Sequence, residues 1–294
     1  MPGSGGRREL RERVTDFSAR VSRELREYHV WLDGVEPAWT VLEPARWEAL
    51  MREPSGGNGA LRLAGDLTDP ELDRPAMVRN AVVLLRAAAK GDGLELTARG
   101  YLTRANVAAL REAMDWPGCA FEESRRAGKL LGEAHVGELQ LLRALLEEAR
   151  CVETAQGGRL RASRRGHALL AGAKGALFAE LFRIAFWRLS LNLFGKAECG
   201  SWPQQQIGMA LLALSTTGDR FQGTRALMVL SVLPDDAVSK NPEWVATTLF
   251  GWRVLRPLWW FGLVECRERA RTWTTRDGAR ACCSTGSSAS RRTS

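Results

Sequence analysis

The stretch CVETAQGGRLRAS, residues 151–163, constrains the fold more than any other part of the chain. Two short runs flank Gly157-Gly158, a pair of residues that supports the positive φ angles of a tight hairpin turn. The helix-like run LLRALLEEA (141–149) precedes them, and Ser163, a residue suited to capping a helix N-terminus, follows. The same order returns later, with VLRPLWWFG (254–262), then LVECRERARTWTT, then Thr275. At an offset of 112 residues and without a gap, Val152-Glu153 falls on Val264-Glu265, Arg159 on Arg271, Ser163 on Thr275, Arg164 on Arg276 and Gly166 on Gly278. LELTARGYL (94–102), after LLRAAAKG (84–91), reads as an earlier copy, with Thr97 and Gly100 in the matching places. In all three the Thr or Ser is expected to close a strand and cap the next helix. The Gly is then the third helical residue, where the first turn passes too close to another backbone for a Cβ.

A helix, a hairpin and a capped helix in this order are what a winged-helix unit presents after its middle helix. The expected fold is α+β and predominantly α-helical, with two winged-helix-like units joined by a buried helical connector. The expected divisions are an N-terminal helical region and loop (1–62), a cap/strand repeat with the central unit (63–175), a helical connector and C-terminal unit (176–283), and a disordered tail (284–294). Leu10, Val14, Phe17, Val21, Leu25, Tyr28 and Leu32 recur at steps of four and three, which predicts an amphipathic helix that packs on the body of the protein. A second helix is predicted over 43–52, with REPSGGNGA after it as a loop. Ala176 to Phe194 is the most apolar helical stretch. Because it carries Glu180, Arg183 and Arg188, it is expected to be a buried helix with one wet edge and not a membrane span.

The formal net charge of +8 is unevenly spread. Residues 150–174 hold six basic side chains against Glu153, and residues 267–294 hold seven Arg against two carboxylates, so each segment has a net charge of +5 and the rest of the chain −2. Arg on a hairpin can reach phosphates, which attract cations without reading sequence. Arg159, Arg161, Arg164, Arg165, Arg267, Arg269 and Arg271 are therefore the candidate nucleic-acid-binding residues. Against this, the helix from Glu138 to Arg150 has an exposed face more acidic than basic. The later helix is so rich in Trp252, Leu255, Leu258, Trp259, Trp260 and Phe261 that little of it is expected to be free for a groove. Trp259-Trp260-Phe261 is expected in the core.

Motifs that carry chemistry are missing from the sequence. His29, His135 and His167 have no second His or Cys at metal-ligand spacing, and neither a Gly-x-Ser-x-Gly elbow nor a Gly-Lys-Ser/Thr phosphate loop is present. Asp66, Asp69, Glu71 and Asp73 cluster in GDLTDPELDRP but lack calcium-loop order, and read as capping and solvation. The six Cys form no Cys-x-x-Cys pair and are expected to be reduced, which suggests a cytoplasmic location.

GDLTDPELDRPAMVRNAVVLLRA, LELTARGYLTRANVAAL, LFRIAFWRLSLNLF and WRVLRPLWWFGLVE together resemble a family of uncharacterised bacterial proteins, some associated with plasmid ORF-3-like proteins. The resemblance implies winged-helix-like repeats and assigns no catalytic residue. The expected function is a non-enzymatic winged-helix-type binding protein that contacts nucleic acid through basic wing hairpins. The alternative is a protein–protein scaffold or adaptor with no nucleic-acid binding. No cofactor, small-molecule ligand or membrane is expected as a partner.

Overall fold

The computed structural model of the protein describes residues 37, 42–54, 60–63, 69–118, 132–172, 174–194, 200–217, 220–232, 243–267 and 272–275. The stripe from Leu10 to Leu32 and the tail from 284 lie outside them, as do Arg269 and Arg271. The protein is mainly helical, with two small antiparallel sheets of three strands each.

Helix α1 (Pro44–Met51) and the short α2 (Asp69–Leu72) lead into α3 (Ala76–Ala89). On α3, Met77, Ala81, Leu84, Leu85 and Ala88 recur at steps of three and four, so one face is wholly buried. Strand β1 (Leu94–Glu95) follows, then α4 (Arg104–Ala113), α5 (Gly137–Glu148), β2 (Val152–Ala155) and β3 (Arg159–Ala162). β2 and β3 form the hairpin expected around Gly157-Gly158, with Val152 opposite Ala162. β1 then pairs with β3, Leu94 opposite Leu160, to give the order β1-β3-β2.

That pairing corrects the reading of three copies. The LELTARGYL segment is a strand of the same sheet as the 152–162 hairpin and not a separate repeat. Thr97 caps no helix. Residues 97–101 form a turn closed by a bridge between Leu96 and Leu102, with the Thr97 N–H donating to the Tyr101 carbonyl at 2.7 Å. Gly100 has φ +79°, a left-handed conformation that a helix cannot contain. The next helix begins at Arg104, and its cap is Thr103, whose side chain accepts from the Asn106 N–H.

At Ser163 the expectation holds in full. Its Oγ accepts from the Gly166 N–H at 3.1 Å, capping α6 (Arg164–Ala171). A Cβ on Gly166 would fall on the Cys151 carbonyl oxygen, so the close approach is real at this position.

Helix α7 (Lys174–Arg183) runs into a π-helical turn (Ile184–Arg188) and is the buried helix foreseen from 176. Leu177, Phe178, Leu181, Phe182, Ile184, Ala185 and Phe186 are buried. Its wet edge is an ion-pair network in which Glu180 receives Arg165 at 3.0 Å and Arg188 at 3.5 Å, while Arg188 also binds Glu53 at 2.6 Å.

A second unit repeats the path of the first. It comprises α8 (Ile207–Thr217), β4 (Gln222–Gly223), α9 (Thr224–Ser231), α10 (Glu243–Phe250), a second π-helical turn (Gly251–Leu255), α11 (Arg256–Trp260), and the β5 (Val264–Arg267) and β6 (Thr272–Thr275) hairpin. The order is β4-β6-β5, as in the first sheet. The second half of the stretch expected as a connector thus supplies a helix, a strand and another helix to this unit. The gapless offset of 112 also fails on the last strand. Val264 pairs with Thr275, as Val152 pairs with Ala162, so Thr275 occupies the place of Ala162 and not of Ser163. One extra residue lies between the two strands of the second hairpin. Thr274 and Trp273 are buried strand residues, and Gly278 lies outside the described residues.

One hydrophobic core runs through both units. Phe261 stacks edge-on against Phe178 and Phe182 from α7, and Trp116 lies 5.0 Å from Trp260. Trp260 and Phe261 are core residues as expected. Trp259 is only half-buried against that core, and Trp252 is 54% exposed.

Candidate nucleic-acid interface

The seven arginines singled out in the sequence fare differently. On β3, Leu160 points into the core, which places Arg159 and Arg161 together on the opposite face of the sheet. Directly across the ladder from them stand Glu95 and Glu153. Arg161 further donates to Asp92, from Nη2 to Oδ1 and from Nε to the carbonyl, each at 3.0 Å. Two Arg therefore share this face with three carboxylates, whose opposite charge across the ladder offsets theirs. Arg159 is half-buried, its Nη1 3.5 Å from the Gly93 carbonyl oxygen. Arg165 pairs with Glu180, and the Arg267 guanidinium sits 3.8 Å over the Phe221 ring.

Arg164 is the exception. It is exposed and has no partner among the described residues. It opens α6, where the helix dipole disfavours a cation. A second arginine lies beside it that the candidate set omitted. Arg150, exposed and likewise without a side-chain partner among the described residues, has φ +54°. The two meet through the backbone, since Ser163 Oγ donates to the Arg150 carbonyl at 2.6 Å.

Arg150 occupies the left-handed position that ends α5. Its N–H donates to the Glu147 carbonyl at 2.8 Å, and the Cys151 N–H donates to the Leu146 carbonyl at 2.8 Å, a Schellman arrangement. The same two bonds close the second unit, from Gly262 to Trp259 and from Leu263 to Leu258, with Gly262 at φ +75°. Here the offset of 112 is obeyed, and the usual glycine stands in one unit where arginine stands in the other. A left-handed non-glycine residue costs about 1–2 kcal/mol. Arg150 and Arg164 are thus two solvated cations on neighbouring stretches of backbone, each held where local structure disfavours it.

Residues 73–176 match the family model of the Y4jL N-terminal domain. That is an uncharacterised family, and the match spans α3 to the start of α7, which is the first three-stranded unit with its capped helix. No curated protein and no solved structure matches the chain.

Helix α5 is held by a buried ion pair that sequence spacing did not reveal. Glu133, 3% exposed, accepts from Arg143 Nη1 at 2.9 Å and from the Leu102 N–H at 2.5 Å. Arg143 also donates to the Gly100 carbonyl at 2.9 Å, so one guanidinium joins the helix to the 97–101 turn. The only signal for it was Arg143 within an apolar run. Cys151 and Cys266 are free thiols, and burial pushes the Cys151 thiol up to about 11, with Arg165 opposing and Glu180 adding to the shift. His167 is exposed on α6, as a helix-surface residue should be. Asp73 is ion-paired with Lys174, and among the described residues no group of three or more His, Cys, Asp or Glu could hold a metal ion. Among them, too, no helix is long and apolar enough to cross a membrane.

Proposed function

We propose that the protein is a non-enzymatic, winged-helix-type nucleic-acid-binding protein, and that its phosphate contacts come from the Arg150–Arg164 corner and not from the wing face. Two observations support the winged-helix reading. Among the described residues, helix, strand, two helices and a hairpin occur in that order twice, the second helix of the later unit being α10 continued through its π-helical turn into α11, and in each sheet the first strand pairs with the last. The observation that carries the function is a pair of arginines on neighbouring backbone with no side-chain partner among the described residues, Arg150 in a left-handed backbone and Arg164 at a helix N-terminus. Residues retained in disfavoured conformations cluster where function needs them.

The test is binding of a fluorescein-labelled random 20-base-pair duplex across a salt series. Each lost phosphate contact flattens the slope of log affinity against log salt by about 0.9. Arg150→Gly with Arg164→Ala should flatten it by roughly two contacts, while Arg159→Ala with Arg161→Ala should leave it nearly unchanged. Absence of duplex binding at low salt would remove this function.

A further inference from the structure

In the second unit, the helical segment that takes the place of α5 has a surface of a different kind. Trp244 is 69% exposed and Trp252 54%. Thr248 between them is exposed too, and Arg256 continues the row at the same four-residue spacing. The Arg256 guanidinium lies 3.8 Å over the Trp252 ring and donates from Nη2 to the Gly118 carbonyl at 3.3 Å, which fixes the cation against the indole. The tryptophans are eight positions apart, about 12 Å along the axis. From Trp244 to Trp260 the chain holds no carboxylate and two arginines, of which Arg253 is buried and Arg256 lies at the indole. Residues 200–266 hold five basic and five acidic side chains, so the positive charge on this face is that of Arg256 itself.

We propose that the Trp244–Thr248–Trp252–Arg256 face binds single-stranded nucleic acid, with unpaired bases stacked on the two indoles. This rests on the reading of the protein as a nucleic-acid binder and names the form that the second unit takes. Large, flat and solvated indoles have no hydrogen-bonding pattern to match base edges in a duplex groove. They do offer π-faces that any unstacked base can cover, and a guanidinium locked on the ring adds charge for the backbone. An acidic environment would repel such a ligand. The absence of carboxylates along 17 residues leaves the Arg256 guanidinium as the charge beside the rings, and a cation there suits a polyanion.

The experiment uses the full chain and fluorescein-labelled single-stranded dT20, with the random duplex as a parallel probe. Trp244→Ala and Trp252→Ala should each weaken dT20 binding about tenfold, and Trp→Phe at the same positions should restore most of it. Duplex affinity and its dependence on Arg150 and Arg164 should not change. Because both side chains are exposed, urea unfolding of the variants should match that of the wild type. Unchanged dT20 affinity in the double alanine variant, with duplex binding intact, overturns this proposal alone. A concentration-dependent dimer in sedimentation that the double variant abolishes also overturns it, and assigns the face to a second copy of the chain. Failure of both probes to bind at low salt overturns it together with the proposed function.

Discussion

Replacing Arg150 with glycine should make the protein more stable and a poorer binder of duplex. The left-handed backbone at φ +54° costs an L-residue about 1–2 kcal/mol relative to glycine. Glycine gives back roughly 0.5–1 kcal/mol through its freer unfolded chain. The Arg150 side chain has no partner among the described residues, so its removal should cost little else, and a net gain of about 0.5–1 kcal/mol is expected. In a chain of this size that is a rise in Tm of about 1–3 °C. The second unit is the control. Gly262→Ala imposes the same left-handed cost and places a Cβ 3.3 Å from Pro75 Cγ, so it should destabilise by at least as much as Arg150→Gly stabilises. Urea unfolding with linear extrapolation measures both, and the duplex salt series measures binding. A loss of stability in Arg150→Gly would show that the side chain anchors the fold. Unchanged binding would show that no phosphate contact justifies the strained arginine.

Three further outcomes follow from the packing. Gly166→Ala would drive a Cβ into the Cys151 carbonyl and should destabilise by about 3 kcal/mol in urea unfolding. Arg143→Met leaves Glu133 buried without its counter-ion and should cost about 3–5 kcal/mol, whereas adding Glu133→Gln should recover part of that loss, which a double-mutant cycle measures. The Cys151 thiol, raised to about 11, stays protonated in the folded chain at pH values where an unfolded one ionises. Its contribution to stability is therefore fully present below about pH 9 and is lost as pH rises towards 11, and a Cys151→Ala variant should show a shallower alkaline decline in unfolding free energy.

The local chemistry of the turns was readable in the sequence where one residue type had one structural use. Gly157-Gly158 announced the hairpin, and Ser163 with Gly166 announced a capped helix packed against a backbone. Thr97 and Gly100 carried the same letters and meant something else. Glycine serves both a close approach and a left-handed φ, and only the pairing of β1 with β3 decides which. The extra residue in the second hairpin escaped for a similar reason: matched letters on either side of a turn do not reveal a register that depends on hydrogen bonds. The wing arginines were visible as a charge excess, but their carboxylate neighbours Asp92, Glu95 and Glu153 come from other strands or from loops distant in sequence. Arg150 was counted in the charge and passed over as a site, because nothing in a linear sequence marks a residue as left-handed. Trp252 was counted among the residues that leave little of the helix free, from the apolar company it keeps along the chain, and a π-helical turn at 251–255 is not a feature that a period of 3.6 discloses.

The two units share a path and differ in what they present, and the difference can be tested without a structure of any complex. Helix α5 shows solvent Glu147 and Glu148, which would repel a phosphate backbone laid along it, so the proposed duplex contact lies at its end, on Arg150 and Arg164. The helical segment from Trp244 to Arg256 has no such barrier and offers rings instead. Surfaces that share no side-chain partner should act independently, and independent perturbations add in free energy. A duplex with a single-stranded dT overhang can engage both. On that probe, the fold-losses of Arg150→Gly with Arg164→Ala and of Trp244→Ala with Trp252→Ala should multiply in the combined variant. On a blunt duplex only the arginine variants should matter, and on dT20 the tryptophan variants should dominate. A combined loss no greater than the larger single loss on the overhang probe would mean that the two surfaces serve one ligand segment, and the division of labour between the units would be wrong.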